Sequence, residues 1–138
     1  MTVEDYILFI EVGHSIQQEL NRRTLEASDL TLQQAAVLAK IESAGGRATI
    51  SRLASELSRA SHSVSGMITS LEDAGLVNRE RATSKDRRQV WVSMSTLGKR
   101  RYASYKRALD NIVEPNIDGL ITSDEAERLV QVVQGIAT

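Results

Sequence analysis

Apolar residues recur along this chain at two spacings, and the switch between them outlines the fold. From Thr2 to Ala27 the residues Tyr6, Ile7, Phe9, Ile10, Ile16 and Leu20 give the broad apolar face of a first helix. Its acids come early (Glu4, Asp5, Glu11) and Arg22–Arg23 late, as the helix dipole favours. Thr31 with Gln34 three residues on has capping-box spacing. It predicts a second helix on Leu32, Ala35, Ala36, Leu38, Ala39 and Ile41, ended by Gly45–Gly46. Arg47–Thr49 then reads as a short strand. Leu53, Ala54 and Leu57 mark a third helix, and Val64, Met67, Ile68 and Leu71 a fourth at offsets of 3, 4 and 7. Only Ser58-Arg59-Ala60-Ser61 lies between them, room for a tight turn between packed helices. Gly75 stops the fourth.

The period then changes to two. Leu76 and Val77 lead into one strand, and Val90, Val92 and Met94 alternate with Trp91 and Ser93 in the next. The strands pair as a hairpin, with the 47–49 strand beside it. Helical spacing returns after Ser95 or Thr96, through Leu97, Tyr102, Tyr105, Leu109, Ile112 and Val113, with Pro115 and Gly119 expected to close that helix. Thr122 or Ser123 opens the last, on Ala126, Leu129, Val130, Val132, Val133 and Ile136. The fold class is mainly α with a small β-wing. It is one domain over 1–138, with a winged helix-turn-helix core at 31–94 between terminal helices at 1–27 and 95–138. Leu53, Leu57, Val64, Ile68, Leu71, Leu76, Val90 and Val92 are its expected core. The terminal helices carry more apolar surface than one wing domain can cover, which points to a symmetric homodimer.

The fourth helix turns an unusual face outward. Ser61, His62, Ser63, Ser65, Gly66, Thr69 and Ser70 are small or hydrogen-bonding, and acids begin only at Glu72. Serine is a poor helix former. Such a face suits a helix entering the major groove, where bulk and negative charge are penalised. Ser61, His62, Ser63, Ser65 and Thr69 are therefore the expected contacts to bases or nearby phosphates. With no arginine from Ser61 to Leu71, direct readout is expected to be modest, with specificity shifted to the wing and to groove shape. The hairpin tip carries Lys85, Arg87 and Arg88 beside Asp86. Arg87 or Arg88 is expected at the minor groove, with Arg79, Arg81 and Lys85 at phosphates.

Charge sharpens this picture. The formal net charge is −1. Between Gly46 and Arg101, however, 11 Lys and Arg face 5 Asp and Glu, leaving 6 against 13 elsewhere. A basic module attached to acidic helices presents a local field that meets phosphates. There are no cysteines, which removes disulfides, cysteine-based zinc sites and thiol redox sensing. The only histidines are His14 and His62, and no Gly-rich phosphate loop or nucleophile elbow occurs. No catalytic residue, metal site or cofactor is expected. Met1–Asp5 is polar and acidic, and no apolar run approaches membrane-spanning length, so a cytoplasmic protein without membrane contact is expected. The rival reading is a winged helix that binds another protein and no DNA.

Three stretches carry a family resemblance: LASEL at 53–57, the SxxVSxMIxSLEDAGLV run at 61–77 and DRRQVWVSMSTLGKR at 86–100. The chain resembles the MarR family of winged helix-turn-helix transcription regulators. The resemblance implies a repressor acting as a homodimer on a pseudo-palindromic double-stranded operator. It assigns Asp86 and Arg88 to an Asp-x-Arg pair in which the carboxylate supports the wing rather than touching DNA. It implies dimerisation through the terminal helices, for which Tyr6, Ile10, Ile112, Leu129, Val133 and Ile136 are the candidates. It also implies a small anionic or phenolic effector in a cleft beside the winged lobe. Candidate ligands of that effector are His14, Tyr102 and Tyr105.

Overall fold

The computed structural model describes the backbone of residues 2–81, 89–120 and 122–137, and the side chains of these except 81, 112–120 and 136–137. The elements are α1 (Val3–Ser28), α2 (Leu32–Ser43), β1 (Arg47–Thr49), α3 (Ile50–Glu56), α4 (Ser61–Asp73), β2 (Val77–Arg81), β3 (Val90–Met94), α5 (Thr96–Leu120) and α6 (Ser123–Ala137). The three strands form one antiparallel sheet in the order β1-β3-β2.

The capping signals act where the sequence puts them. Thr31 Oγ1 accepts from Gln34 N at 3.2 Å while Gln34 Oε1 accepts from Thr31 N at 3.0 Å, a reciprocal box that starts α2. Thr2 and Asp5 do the same for α1, and Thr122 and Glu125 for α6. Ser95 Oγ accepts from Gly98 N at 2.9 Å and starts α5. One boundary differs from expectation. α5 runs through Pro115 and ends at Leu120, one residue past Gly119, the second of the two expected closers. Proline removes one backbone donor and crowds the carbonyl four residues back, which weakens a helix locally without ending it when the flanking turns are formed.

The core sits between α2, α3, α4 and the inner face of the sheet. Leu30, Val37, Leu38, Ile41, Leu53, Val64, Ile68 and Val92 are fully buried there. Leu57 is only half-buried against this cluster, and Val90 is half-buried on the last β2–β3 rung, opposite Arg81, where the hairpin leaves the core. The joint between lobe and α5 is tight. Ser95 N donates to the Leu76 carbonyl at 3.0 Å. A Cβ on Gly98 would run into that same carbonyl. Only glycine lets α5 start so close to the α4–β2 corner.

Candidate nucleic-acid interface

The turn between α3 and α4 is set by one left-handed residue. Ser58 has φ 52°, and Arg59 N reaches back to the Ala54 carbonyl at 3.0 Å, closing α3. The chain then re-enters a helix at Ser61. Val64, Ile68 and Leu71 of α4 are buried in the lobe, which fixes its opposite face outward. Ser61, His62, Ser63, Gly66, Thr69 and Ser70 are exposed, and Ser65 is half-buried. No side chain caps α4, because Ala60 holds the cap position. Its first-turn N–H groups therefore lack a side-chain acceptor, and the helix dipole adds positive potential there. A phosphate oxygen satisfies such a helix end. Arg59, exposed in the turn just before it, adds a cation that the sequence reading left out. Its signal was its place inside the turn of a helix-turn-helix.

Strand alternation sorts the basic residues of the hairpin. Arg79 pairs with Val92, which in turn pairs with Ala48, so all three occupy one rung of the inner face. Asn78 and Glu80 point outward and are exposed. Arg79, expected at a phosphate, instead lies half-buried along the flank of α4. Its Nη2 donates to Thr69 Oγ1 at 3.0 Å and to the Ser65 carbonyl at 3.4 Å. The Thr69 hydroxyl itself donates to the Ser65 carbonyl at 3.0 Å. Ser65, Thr69 and Arg79 thus form one cluster linking helix and wing. On the outer face, Arg47 stands over the Trp91 ring with its guanidinium carbon 4.3 Å from the centroid. Arg47 was absent from the sequence-based candidates, and the pairing of its strand with β3 is what brings it to the wing. Lys85, Asp86, Arg87 and Arg88 lie outside the described residues, as does the side chain of Arg81.

The three effector candidates do not share one cleft. His14, exposed on α1, lines a cleft of about 260 Å³ with Gln17, Asn21, Thr31 and Leu32. Tyr105, buried on α5, lines an adjoining, mostly apolar cleft of about 320 Å³ with Ile16, Leu20, Leu32 and Leu109. Gln17, Asn21 and Leu32 border both. Asn21 Oδ1 accepts from Leu32 N at 3.0 Å and holds α1 to the start of α2. Tyr102 faces elsewhere, into a cleft of about 380 Å³ with Glu42, Met94, Lys99 and Lys106. Burial, aided by the Glu42 carboxylate, pushes its phenol above the usual value, so it stays a neutral hydroxyl. Lys106 bonds Glu42 at 3.1 Å and sits 5.0 Å from the Tyr102 ring centroid.

Of the dimerisation candidates, Tyr6, Ile10 and Val133 are about half exposed, as are Ile7 and Val130 on the same two helices, and Val3 is more so. Leu129 is half-buried, and the side chains of Ile112 and Ile136 lie outside the described residues.

Comparison with known proteins gives a consistent picture. The MarR family model matches residues 30–90. A mutant of MarR from E. coli complexed with operator DNA is similar over 99% of this chain and 95% of its own, at 23% identity and a TM-score of 0.73. AbsC from Streptomyces coelicolor, a MarR family transcriptional regulator, is similar over 99% and 94%, at 22% identity and a TM-score of 0.77. The organohalide-sensing regulator RdhR-CbdbA1625, in its 2,4-dichlorophenol bound form, is similar over 99% and 80%, at 22% identity and a TM-score of 0.76. No curated protein matches the chain.

Proposed function

We infer that this chain, whose winged core matches the MarR family model, is a sequence-specific regulator of transcription that binds double-stranded DNA. The family consists of transcription regulators rather than enzymes. One observation carries the reading most directly. From Ser61 to Leu71 the outward face of α4 is acid-free, hydroxyl-rich and uncapped at its N-terminus, while its inward face is fixed by buried Val64, Ile68 and Leu71. Ser61, His62 and Ser63, on the first turn, approach base edges and phosphates, and Arg59 adds a phosphate contact. Arg87 or Arg88 enters the minor groove, with Arg81 and Lys85 at phosphates and Asp86 holding Arg88. The likeness to a MarR–operator complex supports this assignment.

The acting species is a homodimer on a pseudo-palindromic operator, closed by the exposed apolar patch of α1 and α6. It represses by occupying the operator, in the cytoplasm where the DNA is. A small anionic or phenolic ligand releases it by favouring a spacing of the two α4 helices that misfits the operator. Its seat is the pair of adjoining clefts between α1, α2 and α5, where apolar Ile16, Leu20 and Leu109 meet His14, Asn21 and the Tyr105 ring. The dichlorophenol-bound relative supports that class of ligand.

The test is fluorescence anisotropy on duplexes selected from a random pool, in a salt series with competitor DNA. Tight, competitor-resistant binding at two protomers per duplex is expected. Arg88→Ala should weaken it and flatten the dependence on salt by about 0.9 in log–log slope per phosphate or groove cation lost. Binding that competitor abolishes for every selected duplex would leave the protein-binding winged helix as the reading.

A further inference from the structure

We propose that Arg79 is a positioning residue that sets the angle between the wing and the recognition helix, rather than a phosphate contact. The proposal rests on the DNA-binding reading above. Three observations carry it. First, the register puts Arg79 on the inner rung with Val92 and Ala48, so its side chain leaves the sheet toward α4 and not toward the outer, exposed face. Second, its guanidinium is already engaged on two points of α4 that are one helical turn apart in sequence, the Thr69 hydroxyl at 3.0 Å and the Ser65 carbonyl at 3.4 Å. Thr69 closes the triangle by donating to the same carbonyl. Third, Arg79 Nε is buried and finds no hydrogen-bond partner among the described residues. A guanidinium poised for a phosphate keeps its donors in water until the ligand arrives. Burying one unpaired donor is unfavourable, and it persists only where the rest of the side chain is held.

The chemistry of the pair explains why arginine stands there. Both bonds leave one nitrogen, Nη2, which stands one bond farther from the backbone than a lysine ammonium, and the guanidinium around it is more weakly hydrated and so less costly to half-bury. β2 begins at the α4–β2 corner and ends at the wing tip, so a clamp from its middle to α4 fixes the two DNA-reaching elements relative to each other. Thr69 becomes part of the clamp, and the base-facing duty shifts to the first turn of α4.

The test compares Arg79→Lys, Arg79→Ala and Thr69→Val on a duplex selected by the wild-type protein and on random-sequence duplex, each in a salt series. A positioning role predicts that Arg79→Lys loses specificity for the selected duplex by about tenfold or more, as does Thr69→Val, with the salt slope unchanged. It also predicts that Thr69→Val combined with Arg79→Lys is no worse than either alone. A phosphate contact predicts the reverse: Arg79→Lys near wild type, and Arg79→Ala flattening the slope by about 0.9. That result would overturn the proposal. Should Arg79→Ala not fold, Arg79→Lys and the exposed Thr69→Val decide it. A DNA-free readout separates this failure from failure of the DNA-binding reading. In ¹⁵N spectra of the free protein, the Arg79 Nε–H signal should be protected from exchange with water, and Thr69→Val should abolish that protection. An unprotected signal in the wild type overturns the clamp. A protected signal without any duplex discrimination overturns the regulator reading, and with it the positioning role.

Discussion

The winged lobe and the terminal helices are built to opposite standards of closure. In the lobe, Leu30, Val37, Leu38, Ile41, Leu53, Val64, Ile68 and Val92 have no exposed surface. On α1 and α6, the buried apolar side chains among the described residues are Val12 and Val132, while Val3, Tyr6, Ile7, Ile10, Val130 and Val133 lie open. Val3 is 70% exposed and Val130 55%. Burial of apolar area is the main favourable term in folding. The lobe therefore contains its own driving force, and the terminal pair leaves much of its apolar surface uncovered. A defect in the lobe should cost stability, and a defect on the terminal patch should cost assembly.

The largest expected effect lies where the two regions join. In Gly98→Ala the new methyl meets the Leu76 carbonyl carbon at 3.0 Å and the oxygen closer still. Backbone cannot yield as a side chain can, so α5 must back away from the α4–β2 corner and lose the Ser95–Leu76 bond. Overpacking of this kind costs about 3 kcal/mol. The thermal midpoint by circular dichroism should fall by about 10 °C. A melt indistinguishable from wild type would mean that lobe and α5 are not joined this closely.

Val133→Glu on the open patch should act differently. At the proposed homodimer interface, a carboxylate in this position should weaken dimerisation by about a hundredfold or more. Sedimentation velocity should show the proposed dimer for wild type and monomer for Val133→Glu at the same concentration. The amide spectrum of residues 30–94 should stay wild-type in pattern. If those signals collapse together with the dimer, the lobe does not stand alone and the contrast between the regions fails.

How much of this was legible in advance follows from the range of the forces involved. Caps are local, so Thr31 with Gln34 could be read from spacing, and the starts of α5 and α6 to within one residue, at Ser95 or Thr96 and at Thr122 or Ser123. The helix-turn-helix was legible because Val64, Met67, Ile68 and Leu71 keep strict helical period. Pro115 misled because its signal is local, whereas continuation of α5 to Leu120 depends on the turns around it. The place of Arg79 was hidden for a different reason. Its charge suggested phosphate, but which face of the sheet it occupies depends on the register of β2 against β3, a non-local quantity. Gly98 looked like part of a family motif, and its physical reason, the Leu76 carbonyl, lies 22 positions back in the chain. The clefts were the least legible, since Tyr102 lines a cleft apart from the adjoining pair that His14 and Tyr105 line.

Two capping boxes of the same design sharpen the comparison at smaller energies. Thr31 starts α2, whose Val37, Leu38 and Ile41 are core, whereas Thr2 starts α1 at the open patch. Replacing a capping Thr by Ala costs about 1 kcal/mol where the helix end is held. Thr31→Ala should lower the midpoint by about 3 °C. Thr2→Ala should lower it less, because α1 can fray at its first turn without opening the core. Equal losses would show that α1 is as firmly seated as α2.

The smallest effect is a pH dependence at the contact of α1 with α6. Asp5 accepts from Thr2 N and from Arg128 Nη2, each at 3.0 Å. The Thr2 backbone bond, and after it Arg128 and the Thr2 hydroxyl, bring its pKa from 3.8 down to about 2. The folded value lies below the unfolded one, so the carboxylate contributes stability above about pH 4. That contribution fades as pH falls toward 2. Glu19, held down to about 2 by Arg22 and Arg23, titrates in the same window and would mask Asp5 in the wild type alone. The difference between wild type and Asp5→Asn cancels it. Thermal midpoints of the two proteins should differ slightly at pH 6, with wild type higher, and converge near pH 2. The gap is small because the pair is solvent-accessible and screened. A gap that grows on acidification would mean that Asp5 is protonated more readily in the folded chain than in the unfolded one, contrary to the Thr2 and Arg128 contacts.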